Sequence, residues 1–369
     1  MKFKDMKKGM SNLHYSLKAT MFREFGFPFV PPKNILMGVT NKCNARCKMC
    51  SIWKIYLEAP ENLSKEMTLE EFKIFIDKND YLKDIALTGG EPLLKKELYD
   101  MILYLDKKGY ATGNITNSIL PEYIMATEEK IIKQISDGQT HGLTVSVDGL
   151  REEHDRVRGT PGLFDKALKI VKWGLEMEKK YPSFGIGVSH TITAHNYKDL
   201  LKFIDFFVDL GLKPGQISFR TAQVSGNYYK NTDSEEIPTE VDGIVKELKR
   251  VMEKYPVFGE DWFYKNMPNY VKDPDNYRDL PCYAGTSFAF IGNDWEVQPC
   301  IYLESIGNLR DYNFDMKQLW KSKKAVEARK QIKAKKCPNC WTGCTTIPSR
   351  ASNIKMLAKH YVDVIKKEF

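Results

Sequence analysis

Cys43-Asn44-Ala45-Arg46-Cys47-Lys48-Met49-Cys50 sets three thiols at C-x3-C-x2-C spacing. The segment follows a short apolar run, Ile35–Val39, and precedes any helical periodicity, so it reads as the loop after a first strand. A structural zinc site takes four protein ligands, and no fourth Cys or suitably spaced His lies nearby. A cubane [4Fe-4S] cluster held entirely by protein also takes four thiolates. Three thiols therefore leave one iron with positions open to a ligand that is not protein, the arrangement of a cluster that does chemistry.

Downstream, Thr88-Gly89-Gly90-Glu91-Pro92 again follows a strand-length apolar run. From Ile35 to about Arg220, such runs alternate with amphipathic stretches, the pattern of βα units around a parallel sheet. The expected strands are Ile35–Val39, Asp84–Thr88, Tyr110–Thr116, Leu143–Val147, Gly185–Ile192 and Gln216–Arg220. The expected helices between them are Thr68–Lys78, Lys96–Lys108, Pro121–Ser136, Leu163–Lys180 and Asn196–Leu210. Thr68 with Glu71 forms a capping box, and Gly109 and Gly211 sit where helices should stop. Six such units allow a doubly wound sheet or an open barrel two units short of eight.

Beyond the sixth strand the pattern weakens. One helix, Thr239–Lys254, precedes a stretch rich in Pro and Asn through Pro268, Asn269, Pro274 and Asn276. Ser287–Ile291 and Glu296–Gln298 then flank Gly292-Asn293-Asp294, a hairpin signal. A helix leads to Cys337-Pro338-Asn339-Cys340-Trp341-Thr342-Gly343-Cys344, and a last amphipathic helix runs to Phe369. The expected organisation is an extension over 1–33, a core over 34–235, a bridge over 236–279 and a cysteine-bearing module over 280–369.

The first cysteine loop paired with Gly89-Gly90-Glu91 resembles the radical SAM superfamily. The resemblance implies a partial (β/α)6 TIM-like barrel in which Cys43, Cys47 and Cys50 carry the cluster. Gly89, Gly90 and Glu91 would hold the amino group of S-adenosylmethionine. Further contacts to this cofactor would come from Asn117, Ser146, Asp148 and Arg158, the arginine pairing with a carboxylate and the strand-end polar groups meeting ribose hydroxyls. The family usually has an aromatic residue where this chain has Met49. The later cysteines resemble the SPASM and shortened twitch modules, which implies one auxiliary [4Fe-4S] cluster on Cys282, Cys300, Cys337 and Cys340. Cys344 is then an alternative fourth ligand or a spare thiol, and a four-cysteine zinc site is the competing reading.

The implied activity is reductive cleavage of S-adenosylmethionine to a 5′-deoxyadenosyl radical that takes a hydrogen atom from a substrate. The expected substrate is a small carbohydrate-like or lipid-linked molecule, the alternative a peptide or protein side chain, and the electron donor a flavodoxin or ferredoxin.

Bulk composition fits an ordinary globular protein, with 369 residues, 42% apolar and 28% charged. The eight cysteines are clustered, three near the start and five after residue 280, unlike a secreted disulfide scaffold. With no signal peptide and no apolar run of membrane-spanning length, the expected location is cytoplasmic. Nine Lys or Arg against one Glu between Lys317 and Lys336 read as a solvated helix face over Leu319, Trp320, Val326 and Ile332, with nucleic-acid binding as the alternative. The first thirty residues mix Lys2, Lys4, Lys7, Lys8, Lys18 and Arg23 with Phe3, Tyr15, Phe22, Phe25, Phe27 and Phe29. They read as a helix packed on its own domain, with peripheral membrane contact as the alternative. His190 and His195, at the end of the fifth strand, are expected to face the barrel mouth.

Overall fold

Six parallel strands carry the site: β1 (Asn34–Thr40), β2 (Asp84–Gly89), β3 (Thr112–Thr116), β4 (His141–Ser146), β5 (Phe184–Ile192) and β6 (Ile217–Thr221). The structure is a computed structural model that describes residues 3–277 and 280–359, with side chains from residue 11 onward. The end of the expected last helix, and the side chains of Lys2, Phe3, Lys4, Lys7 and Lys8, lie outside the described residues.

The strands follow one another in chain order. β1 pairs with β2, and β3-β4-β5-β6 form a second ladder. β2 and β3 lie side by side without a hydrogen-bonded ladder. This sequential order is that of an open barrel wall, and the doubly wound alternative is set aside.

Around the strands run α1 (Phe3–Phe25), α2 (Leu69–Lys78), α3 (Leu98–Lys107), α4 (Pro121–Ile132), α5 (Glu152–Arg158), α6 (Leu163–Lys180), α7 (Leu200–Asp209), α8 (Val241–Lys254), α9 (Trp262–Lys272), α10 (Lys323–Lys333) and α11 (Gly343–Ser352). Their apolar stripes form the core. In α6 the buried set Leu163, Phe164, Ala167, Ile170, Val171, Gly174 and Met177 recurs every three to four residues. Helix α9 falls in the stretch expected as a bridge. Pro268 lies inside it and forfeits one backbone bond. The Asp261 carboxylate caps its start, and burial of Phe263, Met267, Tyr270 and Val271 offsets the loss.

The C-terminal hairpin is not a detached unit. β7 (Phe288–Ile291) pairs with β8 (Glu296–Gln298), which pairs with β9 (Gly307–Asn308). All four residues of β7 are buried, and β7 lies parallel to β1, so the barrel sheet continues as β2-β1-β7-β8-β9.

Glu71 fastens this junction. It closes the α2 capping box with Thr68, accepts from Trp295 Nε1 at 3.1 Å and meets Arg310 through two bonds of 2.7 and 3.0 Å. Burial alone would raise its pKa, but Arg310, the Thr68 backbone and Trp295 hold it at about 2. This depressed value means stability that is present above the unfolded value of about 4.3 and lost as pH falls toward 2. Glu71→Gln is expected to cost about 2 kcal/mol at pH 7 after allowing for its partial exposure, with the difference from the parent closing in acid. Urea unfolding at pH 7 and pH 3 checks this.

Helix α1 braces the module. Ala19 and Phe22 are buried, Ser16 Oγ donates to the Ala351 carbonyl, Thr20 Oγ1 meets the Tyr283 hydroxyl at 2.8 Å, and Arg23 Nε donates to the Cys282 carbonyl at 2.8 Å. Phe25 and Phe27 remain exposed. Among the described residues no helix is long and apolar enough to cross a membrane. In the basic run Leu319, Trp320 and Ile332 are buried as expected, whereas Val326 is exposed.

Candidate active site

The Cys43–Cys50 loop is held from two sides. At the end of β2, Gly90 N donates to the Thr40 carbonyl at 2.8 Å and Glu91 N to the Lys42 carbonyl at 2.7 Å. A Cβ on Gly89 would lie 2.2 Å from the Thr40 oxygen, and one on Gly90 would lie 2.3 Å from the Lys42 oxygen. The two glycines are thus required by the close approach of the loop itself, beyond leaving room for a ligand. From the other side, α5 ends in left-handed Gly159, where a Cβ would lie 2.5 Å from the Arg46 oxygen. Arg46 N and Lys48 N donate to the Arg158 and Val157 carbonyls.

Burial pushes the Cys43 thiol up to about 11 and Cys50 to about 12. It also raises Cys47, against the pull of Arg158, whose Nη1 lies 3.8 Å from the Cys47 sulfur. Such thiols ionise when a metal centre supplies the positive charge.

At the C-terminal strand ends the loop opens onto a cavity of about 700 Å³, lined by all three thiols and by Gly89, Gly90, Glu91, Asn117, Ser146 and Arg158. Glu91 is 3% exposed. Its Oε2 accepts from Asn117 N at 2.7 Å, while Oε1 is buried without a partner. Burial pushes its carboxyl up to about 7. An orphaned carboxylate oxygen in a cavity wall fits a protonated amine. The Asn117 amide is committed within the protein, donating to Asn44 Oδ1 at 2.8 Å and reaching the Cys43 sulfur at 3.7 Å.

Asp148 departs from the expected role. It does not line the cavity. Its Oδ2 meets Arg158 Nε at 2.6 Å in an ion pair of off-line hydrogen-bond geometry, and its Oδ1 accepts from Thr191 N at 2.7 Å. Burial would raise this carboxyl, but the Arg158 charge, with His190 and His154, brings it below the usual value. Asp148 is therefore placed to orient Arg158 from behind the cavity wall. Asp148→Ala leaves a buried guanidinium uncompensated and is expected to cost about 3–5 kcal/mol, measured by chemical denaturation.

His190 also departs from expectation. Its ring packs on Phe203 at 4.2 Å and its Nδ1 contacts the Val147 carbonyl, outside the cavity. His195 lies in a separate exposed hollow that Cys47 shares with Arg46, Lys48 and Lys54.

Further parts of the cavity wall come from residues the sequence did not single out, among them Trp53, Arg220, Gln223, Tyr228, Tyr229 and Thr342. Arg220 sits at a strand end, as Ser146 does, and that placement alone could have marked it.

A second chamber gathers Cys282, Cys300, Cys337 and Cys340 beside Tyr302, Trp341 and Thr345. Burial pushes Cys300 and Cys340 well up. Cys344 lines the large cavity instead. Four of the five thiols thus form one set and Cys344 stands outside it. A tetrahedral zinc with Zn–S bonds of about 2.3 Å draws its sulfurs to within about 4 Å of one another. No three His, Cys, Asp or Glu side chains among the described residues converge as a single-ion site. The donor sets, three thiols at one chamber and four at another, are of the all-thiolate kind that iron-sulfur clusters take.

This chain belongs to the radical SAM superfamily, whose model matches residues 37–215, and it carries the SPASM iron-sulfur cluster-binding domain over residues 282–344. It is therefore an enzyme of S-adenosylmethionine and [4Fe-4S] clusters. Among its relatives is an AdoMet-dependent heme synthase of Oleidesulfovibrio alaskensis, 27% identical over 339 residues, spanning 85% of this chain and 80% of the relative. A PqqA peptide cyclase of Bradyrhizobium diazoefficiens is 27% identical over 192 residues, covering 50% of this chain and 46% of the relative. The fold is shared with Streptococcus suis SuiB bound to precursor peptide SuiA, at a TM-score of 0.58 and 14% identity over 90% of this chain and 71% of that one.

Proposed function

We propose that Cys43, Cys47 and Cys50 hold the catalytic cluster and that Cys282, Cys300, Cys337 and Cys340 hold one auxiliary cluster. When bound, the first cluster supplies the electron that splits S-adenosylmethionine into methionine and a 5′-deoxyadenosyl radical, and the second supplies an electron acceptor for a two-electron oxidation of the substrate. Glu91 Oε1 accepts from the cofactor's amino group. Arg158, fixed by Asp148, pairs with its carboxylate, and Ser146 reaches toward the ribose. Trp53, Tyr228 and Tyr229 wall off water from the reacting carbon. The electron donor is a flavodoxin or ferredoxin, and the hollow at the outer face of Cys47, where Arg46, Lys48 and Lys54 mix with Asp233, Glu235 and Glu236, is where it would approach. The observation that carries this reading is the orphaned Glu91 oxygen in the same cavity wall as three thiols that lack a fourth.

For the substrate we favour a tetrapyrrole over the small carbohydrate-like or lipid-linked molecule expected from sequence. The heme synthase relative spans most of both chains, and the aromatic wall suits a flat macrocycle. A peptide is the second reading, supported by the likeness to the peptide cyclase and to peptide-bound SuiB. The test is anaerobically reconstituted protein with dithionite, S-adenosylmethionine and iron coproporphyrin III. The tetrapyrrole should raise 5′-deoxyadenosine formation severalfold and change mass in step with it. A tetrapyrrole that leaves both unchanged overturns this substrate assignment.

A further inference from the structure

We infer that Arg220 and Tyr229 form a carboxylate-binding subsite on the auxiliary-module side of the cavity, and that the substrate carries a carboxylate seated there. The inference rests on the cavity being the substrate chamber, whatever the substrate's skeleton.

Arg220, next to last in β6, lines the cavity, and among the described residues its guanidinium makes no hydrogen bond or ion pair. The other cation at this end of the barrel cavity, Arg158, already has its counter-ion in Asp148. Lys83, also on the lining, precedes β2 and so belongs to the opposite end. The groups whose charge reaches Arg220 are Tyr229, Cys344, Asp148 and Tyr302. Asp148 is taken up by Arg158 and Thr191 N. Burial pushes the neighbouring Tyr229 phenol up to about 12. The half-buried guanidinium thus faces the cavity without a paired counter-charge, an arrangement that favours an incoming anion.

Tyr229 supplies the second donor. Its ring packs against Tyr228 at 4.9 Å, its backbone carbonyl accepts from Ser51 N, and its hydroxyl has no hydrogen-bond partner among the described residues. The neighbouring Tyr228 hydroxyl is instead drawn toward Thr88 and the Gly89 carbonyl, each at 3.4 Å. A planar guanidinium fork plus one phenol matches the lone pairs of a carboxylate. A phosphate dianion calls for more positive charge than this wall offers.

Cys344 beside Arg220 is the reporter. Holoenzyme with both clusters and S-adenosylmethionine bound is treated anaerobically with N-ethylmaleimide, and labelling of Cys344 is followed by mass spectrometry at constant ionic strength. The probes are glutarate, its neutral isostere glutaramide, and inorganic phosphate. Glutarate is expected to slow labelling severalfold and glutaramide to leave it unchanged. The protection should vanish in Arg220→Gln and return in part in Arg220→Lys, with iron and sulfide content showing that both variants are folded. Equal protection by glutaramide, protection that persists in Arg220→Gln, no protection by glutarate, or a Cys344 that never labels overturns the subsite. Stronger protection by phosphate than by glutarate overturns the carboxylate assignment. Cleavage of S-adenosylmethionine is measured on the same batch. Protection without cleavage counts against the proposed function alone, and cleavage without protection against the subsite alone.

Discussion

Cys47→Ala is expected to remove 5′-deoxyadenosine formation by more than about a thousandfold, because two thiols cannot hold a cubane in place. Iron should fall from about eight to about four per chain, leaving the auxiliary set intact. The fold should survive. The loop is held by backbone bonds from Gly90, Glu91, Arg46 and Lys48 that do not use the Cys47 side chain. The substitution does take from Arg158 Nη1 its contact with the Cys47 sulfur, while the Asp148 pair that fixes Arg158 remains. Iron and sulfide analysis alongside a dithionite cleavage assay checks the prediction.

A Cys337→Ala/Cys340→Ala double variant separates the two clusters, because it leaves the auxiliary set only two thiols. Both thiols lie in the chamber shared with Cys282 and Cys300 and take no part in lining the large cavity. Iron should again fall by about four per chain. Cleavage of S-adenosylmethionine should continue while substrate oxidation drops by more than about a hundredfold, since the acceptor for the second electron is lost. Cys344→Ala should keep the full iron content, which distinguishes Cys344 from the auxiliary set. A zinc module would instead carry no acid-labile sulfide.

The strands themselves and the first cysteine loop were legible in the sequence because both are local signals, whereas the sequential order that makes a barrel wall was not. Apolar runs of strand length recur between amphipathic stretches, and the C-x3-C-x2-C spacing needs no tertiary context. Helix α5 escaped notice because seven residues are too few to show a helical period, yet it supports the loop through Gly159 and carries Arg158. The pairing of Asp148 with Arg158 was hidden for a related reason. A carboxylate at a strand end looks like a ligand group until the fold brings Arg158 onto it. Cys344 could not be told from its neighbours by spacing, because only the turn into α11 sends its thiol to a different chamber from Cys340. The hairpin was visible in Gly292-Asn293-Asp294, but its pairing with β1 joins residues some 250 positions apart, and no local pattern encodes that.

The central claim is that the cluster on Cys43, Cys47 and Cys50 keeps one iron open for S-adenosylmethionine, with Glu91 and Arg158 steering its amino and carboxylate groups. Electron-nuclear double resonance on the reduced Cys337→Ala/Cys340→Ala protein, which retains only that cluster, with S-adenosylmethionine labelled by 15N in its amino group tests it directly. The account predicts a 15N hyperfine coupling of a nitrogen bound to iron, weakened or lost in the same protein when it also carries Glu91→Gln. A spectrum without nitrogen coupling while S-adenosylmethionine is bound would contradict it.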